Sequence, residues 1–227
     1  MDAVPVVAID GPSGSGKGTV SREVARVVGW HLLDSGALYR IVGLLGARRG
    51  LSAEDVEGHA ALARSMDVVF GSDGQGGERV RVDGVDVTRE IRSEEAGQGA
   101  SRVAAWPAVR DALLDRQRAF ARPPGLVADG RDMGTVVFPA ARLKIYLVAT
   151  AEERALRRYK QLKEKGSGAN LAALSREIAE RDQRDSTRAV APLVPAPDAR
   201  IIDSTGMSVA QVVAAVLSQG RSLGLWS

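Results

Sequence analysis

Between Asp10 and Thr19 the chain reads Asp-Gly-Pro-Ser-Gly-Ser-Gly-Lys-Gly-Thr, with Gly11, Gly14, Gly16 and Gly18 set around Lys17. Gly11 through Gly16 followed by Lys17 has the spacing of a phosphate-binding loop, in which a strand feeds a glycine-rich turn that opens a helix. Glycine lets backbone N–H groups converge on an anion, because side chains would block the approach and forbid the dihedrals required. The positive end of the following helix adds to the attraction, and Lys17 brings a full charge to the outer phosphates. A chance glycine turn is the alternative, but here strand, loop, lysine and helix all come in order. In the common pattern a metal-binding hydroxyl follows the lysine. Gly18 stands in that place and Thr19 one later, which leaves open whether Thr19 meets the metal or a phosphate oxygen.

Transfer of a phosphoryl group crowds negative charge, so cations must surround the transfer point. Four stretches supply arginines near strand ends or helix breaks: Arg40; Arg131; Arg154, Arg157 and Arg158; and Arg181, Arg184 and Arg188. The alternative is solvated helix faces paired with local acids such as Glu152 and Glu153. For Arg154 both readings stand open. Arg131 has the better case, because it lies just past a strand end beside Asp129, where α/β sheets hold their ligands.

These residues need elements to hold them. Val6–Asp10 reads as a strand, and Val20, Val24, Val27 and Val28 recur at helical spacing from Lys17 until Gly29 stops the run. Trp30 to Leu33 is extended and leads to a turn at Asp34-Ser35-Gly36. A helix carrying Leu38 to Leu45 follows, and another starts at Ser52-Ala53-Glu54-Asp55 and runs to about Arg64. Asp67–Phe70, Arg79–Val82 and Val85–Val87 are β-type runs. A glycine-rich loop over 71–77, read as a hairpin tip, joins the first two, and Asp83-Gly84 makes a tight turn between the others. Thr88 to Ala100 is polar and mixed, and Val103, Val109, Leu113 and Leu114 mark a helix to about Phe120, broken by Pro123-Pro124-Gly125. Leu126–Asp129, Leu143–Val148 and Arg200–Asp203 are strands. Helices over Ala151–Lys165, Leu171–Asp185 and Val209–Leu223 alternate with them, the first broken by Gly166-Ser167-Gly168. The expected fold is α/β: a phosphate-loop three-layer sandwich with a central five-stranded parallel sheet, helices on both faces and a small antiparallel three-stranded insert.

With 227 residues, 44% of them hydrophobic, one sizeable core suffices. The absence of cysteine excludes disulfides, thiolate metal sites and a thiol nucleophile. His31 and His59 are the only histidines and sit among apolar neighbours or in a helix, so no protein metal site is expected. Trp30, Trp106 and Trp226 are expected to pack rather than to stack on bases. A net charge of +3, mostly arginine on the positive side, gives no argument for nucleic acid. No signal-like start and no apolar run near the length of a membrane helix occurs, so a cytoplasmic protein is expected, with no membrane partner.

Four segments together resemble the bacterial cytidylate kinases, of the nucleoside monophosphate kinase group. They are Ile9-Asp10-Gly11-Pro12-Ser13-Gly14, Leu33-Asp34-Ser35-Gly36-Ala37-Leu38-Tyr39-Arg40, the run from Ala128 to Pro139 through Asp129-Gly130-Arg131-Asp132-Met133-Gly134, and the run from Arg181 to Leu193. The Lys17-Gly18-Thr19 ending is likewise similar to that group. The resemblance implies ATP-dependent phosphorylation of CMP and dCMP in pyrimidine nucleotide metabolism, with Mg²⁺ held mainly by ATP phosphates and water. ATP phosphates would lie on Gly11, Pro12, Ser13, Gly14, Ser15, Gly16, Lys17, Gly18 and Thr19. Ser35 and Arg40 would serve the CMP side, Arg40 at its phosphate. Ser101, Arg110 and Asp132 would read cytosine, and Arg131, Arg181 and Arg188 would surround the acceptor phosphate. Asp185 would hold ribose hydroxyls, while Arg157 and Arg158 would belong to a short lid over ATP. Asp129 is either an outer partner of the metal or a cap on the Gly130 turn. The resemblance also implies a single domain over 1–227, with a monophosphate-binding part at 36–100 that includes the insert at 66–88, a lid at 152–169, and a monomer. Kinases for UMP, AMP or shikimate, and a nucleotide-binding protein associated with RNA, are the competing readings.

Overall fold

The computed structural model describes residues 4–72, 78–164 and 168–227, and the chain divides into two compact units, Met1–Asp34 with Gln117–Ser227, and Ser35–Arg116. In the first unit, β1 (Val6–Asp10), β2 (His31–Asp34), β6 (Leu126–Gly130), β7 (Leu143–Val148) and β8 (Arg200–Asp203) form one sheet in the order β2-β6-β1-β7-β8. Every pairing in it is parallel. β1 and β6 are buried along their whole lengths, which is why both read as nearly continuous apolar runs rather than as alternations. Helices α1 (Lys17–Val28), α6 (Ala151–Glu164), α7 (Leu171–Thr187) and α8 (Val209–Ser222) cover both faces, the sandwich expected from the sequence. Val7, Ile9, Ile145 and Leu147 of the sheet pack with Val20 and Val24 of α1 and Val212, Val216 and Leu217 of α8 in one cluster. At its margin Trp30 and Trp226 meet edge to face at 5.3 Å, so both tryptophans pack, as expected.

The second unit contains α2 (Ser35–Arg48), α3 (Val56–Ser65), β3 (Val68–Ser72), β4 (Glu78–Val82), β5 (Val85–Asp86), a 3₁₀ turn at Glu90–Arg92, α4 (Glu94–Val103) and most of α5 (Pro107–Arg118). The three strands pair antiparallel in the order β3-β4-β5, which is the expected insert. Its tight turn places Asp83 at φ 50° and Gly84 at φ 80°, the double left-handed geometry of a two-residue hairpin. The predicted hairpin tip falls largely on 73–77, and Gly166 and Ser167 of the predicted break Gly166-Ser167-Gly168 fall on 165–167; these stretches lie outside the described residues.

Three local expectations are corrected. The polar stretch before residue 100 belongs largely to a helix of its own, α4, which takes in Val103, so the next helix starts only at Pro107. α4 is capped by Ser93, whose hydroxyl accepts a hydrogen bond from the Ala96 N–H. Its glycines and alanines carry little hydrophobic signal. They serve contact instead: a Cβ on Gly43 of α2 would come within 3.3 Å of the Gly99 carbonyl carbon, so the two helices meet backbone to backbone. Second, α3 begins at Val56 with Asp55 as its cap, so Ser52 to Glu54 is a turn before the helix rather than its first residues. Third, no turn separates β2 from α2, which starts at Ser35 directly after Asp34.

Candidate nucleotide site

At the carboxyl end of β1 the chain turns through Gly11, Gly14 and Gly16 at φ 153°, 77° and 91°. A Cβ on Gly11 would stand 2.1 Å from the Leu147 carbonyl oxygen of β7, so no other residue fits there. Val20 donates to the Gly16 carbonyl as the first bond of α1. Lys17 is buried in the first turn of α1, and its Nζ reaches back 3.1 Å to the Pro12 carbonyl. Burial pushes its ammonium pKa down, and the Arg131 guanidinium adds to the shift, while Asp129 and Asp34 oppose it. An incoming anion would reverse that balance by giving the buried charge a partner.

Parallel pairing brings Asp34 and Asp129 side by side at the ends of β2 and β6. Asp129 Oδ2 lies 3.2 Å from where a Cβ on Gly18 would be. A carboxylate therefore faces the helix position where the common loop pattern has a hydroxyl, and the glycine makes room for it. Two hard oxygen donors beside a phosphate loop suit a partly hydrated Mg²⁺. Among the described residues no group of three or more acids, histidines or cysteines could hold a metal by itself.

Asp10, the last residue of β1, accepts hydrogen bonds from the N–H groups of Met133 and Gly134, each at 2.8 Å. Those residues open a π-helical turn, Met133–Val137, directly after Arg131 and Asp132. Burial raises the Asp10 pKa to about 7 against the two backbone hydrogen bonds that lower it, and the charges of Asp132 and Asp129 raise it further.

The arginines separate into two sets. Arg131 Nε donates to Asp185 Oδ2 at 3.0 Å, Arg181 Nη1 donates to Ser13 Oγ of the loop at 3.3 Å, and Arg188 Nη2 lies 3.9 Å from Asp132 Oδ1. Arg131, Arg181, Arg188, Asp132 and Asp185 thus gather beside the loop, within the first unit. Leu193 N–H donates to the Asp185 carbonyl, which folds the segment after α7 back onto the helix. On α6, Arg154 is buried and donates to the carbonyls of Ala149 and Ser13 and to Asp182 of α7. Arg157 donates to the carbonyls of Ser15 and Ser204, to Ser204 Oγ and to Glu153. For Arg154 the solvated reading is thereby excluded. Arg158, next along, is half-buried. Thr19 is exposed on the outer side of the first turn of α1.

In the second unit, Ser35 is buried at the start of α2, and Arg40 lies one turn on. Arg40 Nε is buried and finds no acceptor among the described residues. Ser101 is buried on α4 and Arg110 on α5, where Arg110 Nη1 donates to the Ala104 carbonyl at 3.3 Å and its guanidinium lies 5.8 Å from the Tyr39 ring centre. His59 is buried between its own helix and Trp106, with Nδ1 at 2.7 Å from the Asp55 carbonyl, which is a core role.

Two residues beside the loop had no role in the reading of the sequence. Ser204, buried just past β8, donates to the carbonyls of Ser15 and Val148. Asp182 holds Arg154. Ser204 follows a strand whose carboxyl end lies on the ligand edge, so the rule that singles out Arg131 would have singled it out too.

A sequence model of the cytidylate kinase family matches residues 7–222. The chain is 58% identical over 220 residues to a cytidylate kinase of Bordetella bronchiseptica, covering 97% of this chain and 96% of the relative. It is 59% identical over 216 residues to one from Pseudomonas aeruginosa, covering 95% and 94%, and 56% identical over 222 residues to one from Methylococcus capsulatus, covering 98% and 99%.

Proposed function

Since the chain belongs to the cytidylate kinase family, we propose that it transfers the terminal phosphoryl group of ATP to CMP and dCMP, yielding ADP and CDP or dCDP. The observation that carries this reading is identity above one half to cytidylate kinases over nearly the full lengths of both chains. The left-handed glycines and buried Lys17 of the loop support the donor half of the reaction.

The reaction needs no covalent intermediate on the enzyme. An ionised phosphate oxygen of CMP attacks the terminal phosphorus of ATP, a P–O bond forms, and the bond from that phosphorus to the bridging oxygen of ADP breaks in line. Catalysis then consists of positioning and charge neutralisation. The loop N–H groups of Gly11 to Thr19 and Lys17 would hold the donor phosphates. Arg131, Arg181 and Arg188 would face the charge that develops between donor and acceptor. Asp34 and Asp129 would hold Mg²⁺ through its waters, and the ion when bound would neutralise donor phosphate charge.

On the acceptor side, likeness to the family assigns Arg40 to the CMP phosphate and Ser35 beside it. The buried, acceptor-free Nε of Arg40 supports this, because a buried guanidinium nitrogen ordinarily has a partner. Ser101, Arg110 and Asp132 are proposed to read the base, since cytosine offers an exocyclic amine and ring acceptors that a carboxylate, a guanidinium and a hydroxyl can answer. Asp185 is proposed for the ribose hydroxyls and, on likeness to the family, Arg158 for a lid at 152–169. Arg157, which that likeness also puts in the lid, instead spends its nitrogens on the Ser15 and Ser204 carbonyls, Ser204 Oγ and Glu153. The part at 36–100 is proposed to bind the monophosphate. A monomer working in the cytoplasm without nucleic-acid or membrane partners completes the proposal; no helix among the described residues is long and apolar enough to cross a membrane.

Phosphorus NMR of the purified protein with ATP, Mg²⁺ and CMP tests the reaction. CDP and ADP should accumulate one to one, with no ADP formed when CMP is left out. ADP released at the same rate without any acceptor would make the protein a hydrolase and overturn the reading.

A further inference from the structure

In a phosphate loop the N–H groups must face the anion, so the carbonyls must point away and find donors behind the loop. Here the Gly16 carbonyl takes the Val20 N–H that opens α1, and three others have side-chain donors. Pro12 takes Lys17 Nζ, Ser13 takes Arg154 Nη1 at 3.0 Å, and Ser15 takes Arg157 Nη1 at 3.2 Å and Ser204 Oγ at 3.1 Å. Arg154 differs from the others in what its remaining nitrogens do. Nε holds the Ala149 carbonyl at 3.1 Å, just before α6, and Nη2 pairs with Asp182 of α7. Its side chain is 6% exposed, so it is not a surface charge waiting for phosphate. Its own stem is part of the mould: a Cβ on Gly14 would lie 3.0 Å from the Arg154 Cβ.

Asp182 is one residue from Arg181, which touches Ser13 Oγ, and one helical turn from Asp185, which holds Arg131. Ser13 is therefore gripped twice, at its carbonyl by α6 and at its hydroxyl by α7, and the Arg154–Asp182 pair joins the two grips. We propose that Arg154, anchored by Asp182, is a positioning residue for phosphoryl transfer, which fixes the back of the donor loop in register with the Arg181–Asp185 face of α7 without touching substrate. This rests on the donor role proposed for the loop. A planar fork with three separately engaged nitrogens is needed, which a lysine cannot supply.

The test compares Arg154→Met, Arg154→Lys, Asp182→Asn and the double variant Arg154→Met/Asp182→Asn. Donor affinity would be read by titration with a fluorescent ribose-labelled ATP, CMP affinity by calorimetry without donor, and folding by thermal unfolding. Asp182→Asn keeps the arginine charge and, being at a partly exposed side chain, is expected to fold. The expected result is donor affinity about tenfold weaker in each single variant, the scale of one lost charge-assisted hydrogen bond. Lysine should not rescue, the double variant should be no weaker than Arg154→Met, and CMP affinity should stay within about twofold. Normal donor affinity in folded Asp182→Asn, rescue by Arg154→Lys, or additive losses in the double variant would each overturn the proposal. If wild-type protein itself fails to bind the labelled ATP, it is the donor-loop reading that fails instead.

Discussion

The carboxylate of Asp10 takes a hydrogen bond at 2.8 Å from the backbone N–H of Met133, which lies 123 residues away in sequence. The contact ties the first residue before the phosphate loop to the turn that presents Arg131 and Asp132. A single buried side chain thus relates the donor loop to two of the residues assigned to the acceptor. Its cost is a carboxyl with a raised pKa. In the unfolded chain Asp10 would titrate near 3.8, and in the folded one near 7. Between those values the folded state binds the extra proton, so this group's contribution to stability declines as pH rises and is flat above about 7. Thermal unfolding of wild type and Asp10→Asn from pH 4.5 to 8 should show the gap between them moving in favour of the variant as pH rises. A gap independent of pH would show that Asp10 titrates normally.

Lys17 shifts in the opposite sense. Its folded pKa lies below the ordinary lysine value because it is buried beside Arg131, so folding without ligand is disfavoured by its charge at neutral pH and eased as pH rises. Donor phosphates should restore the charge. Binding of ATP at pH 8, followed by calorimetry in buffers of different ionisation enthalpy, should take up a fraction of a proton, and Lys17→Arg should abolish the uptake. Proton release, or uptake unchanged in the variant, would count against a lysine held near its titration point.

Gly11 marks where the loop has no tolerance. Both the left-handed φ and the Leu147 carbonyl behind it oppose any side chain. Gly11→Ala should lose at least about 1–3 kcal/mol of stability from backbone strain alone, measurable by urea unfolding, and should bind ATP weakly. Gly29→Ala, at φ 70° with nothing within 4 Å of the added atom, should cost only the strain of its dihedral and leave ATP binding intact.

Asp132 is buried and lies near Arg188, and its proposed task is recognition of cytosine. Asp132→Ala should weaken CMP binding about tenfold to a hundredfold, the range for losing a charged hydrogen-bond partner, with ATP affinity nearly unchanged. Equal losses for both substrates would remove Asp132 from base reading.

The elements that carry chemistry were the most legible ones in the sequence. β1, the loop and α1 follow one another with bounds at Asp10, Lys17 and Val28, because β-branched runs, a glycine-rich turn and a 3.6-residue period each have distinct physical causes. The insert was legible from Asp83-Gly84, where the turn chemistry allows few alternatives. α4 was not, because it is held by close backbone contact at Gly43 and Gly99, and small residues leave no apolar stripe to read. Among the arginines, type and position near strand ends or helix breaks picked out Arg131, Arg181 and Arg188, which gather beside the loop, but not what each one touches. Arg154 and Arg157 both spend their nitrogens on loop carbonyls, a long-range fact that helical spacing does not encode. Asp182 was silent for the same reason, whereas Ser204 could have been found from its place just past the carboxyl end of β8.

The claim on which the rest depends is that the acceptor is a cytidine monophosphate. Initial rates of ADP formation should be measured with CMP, dCMP, UMP, AMP and shikimate at equal concentration, over a range that yields kcat/KM for each. CMP and dCMP should be the best acceptors, with UMP at least about tenfold poorer, as expected when a site's hydrogen-bonding groups lose the amine they are built to meet. Turnover of UMP equal to or better than that of CMP would contradict the account.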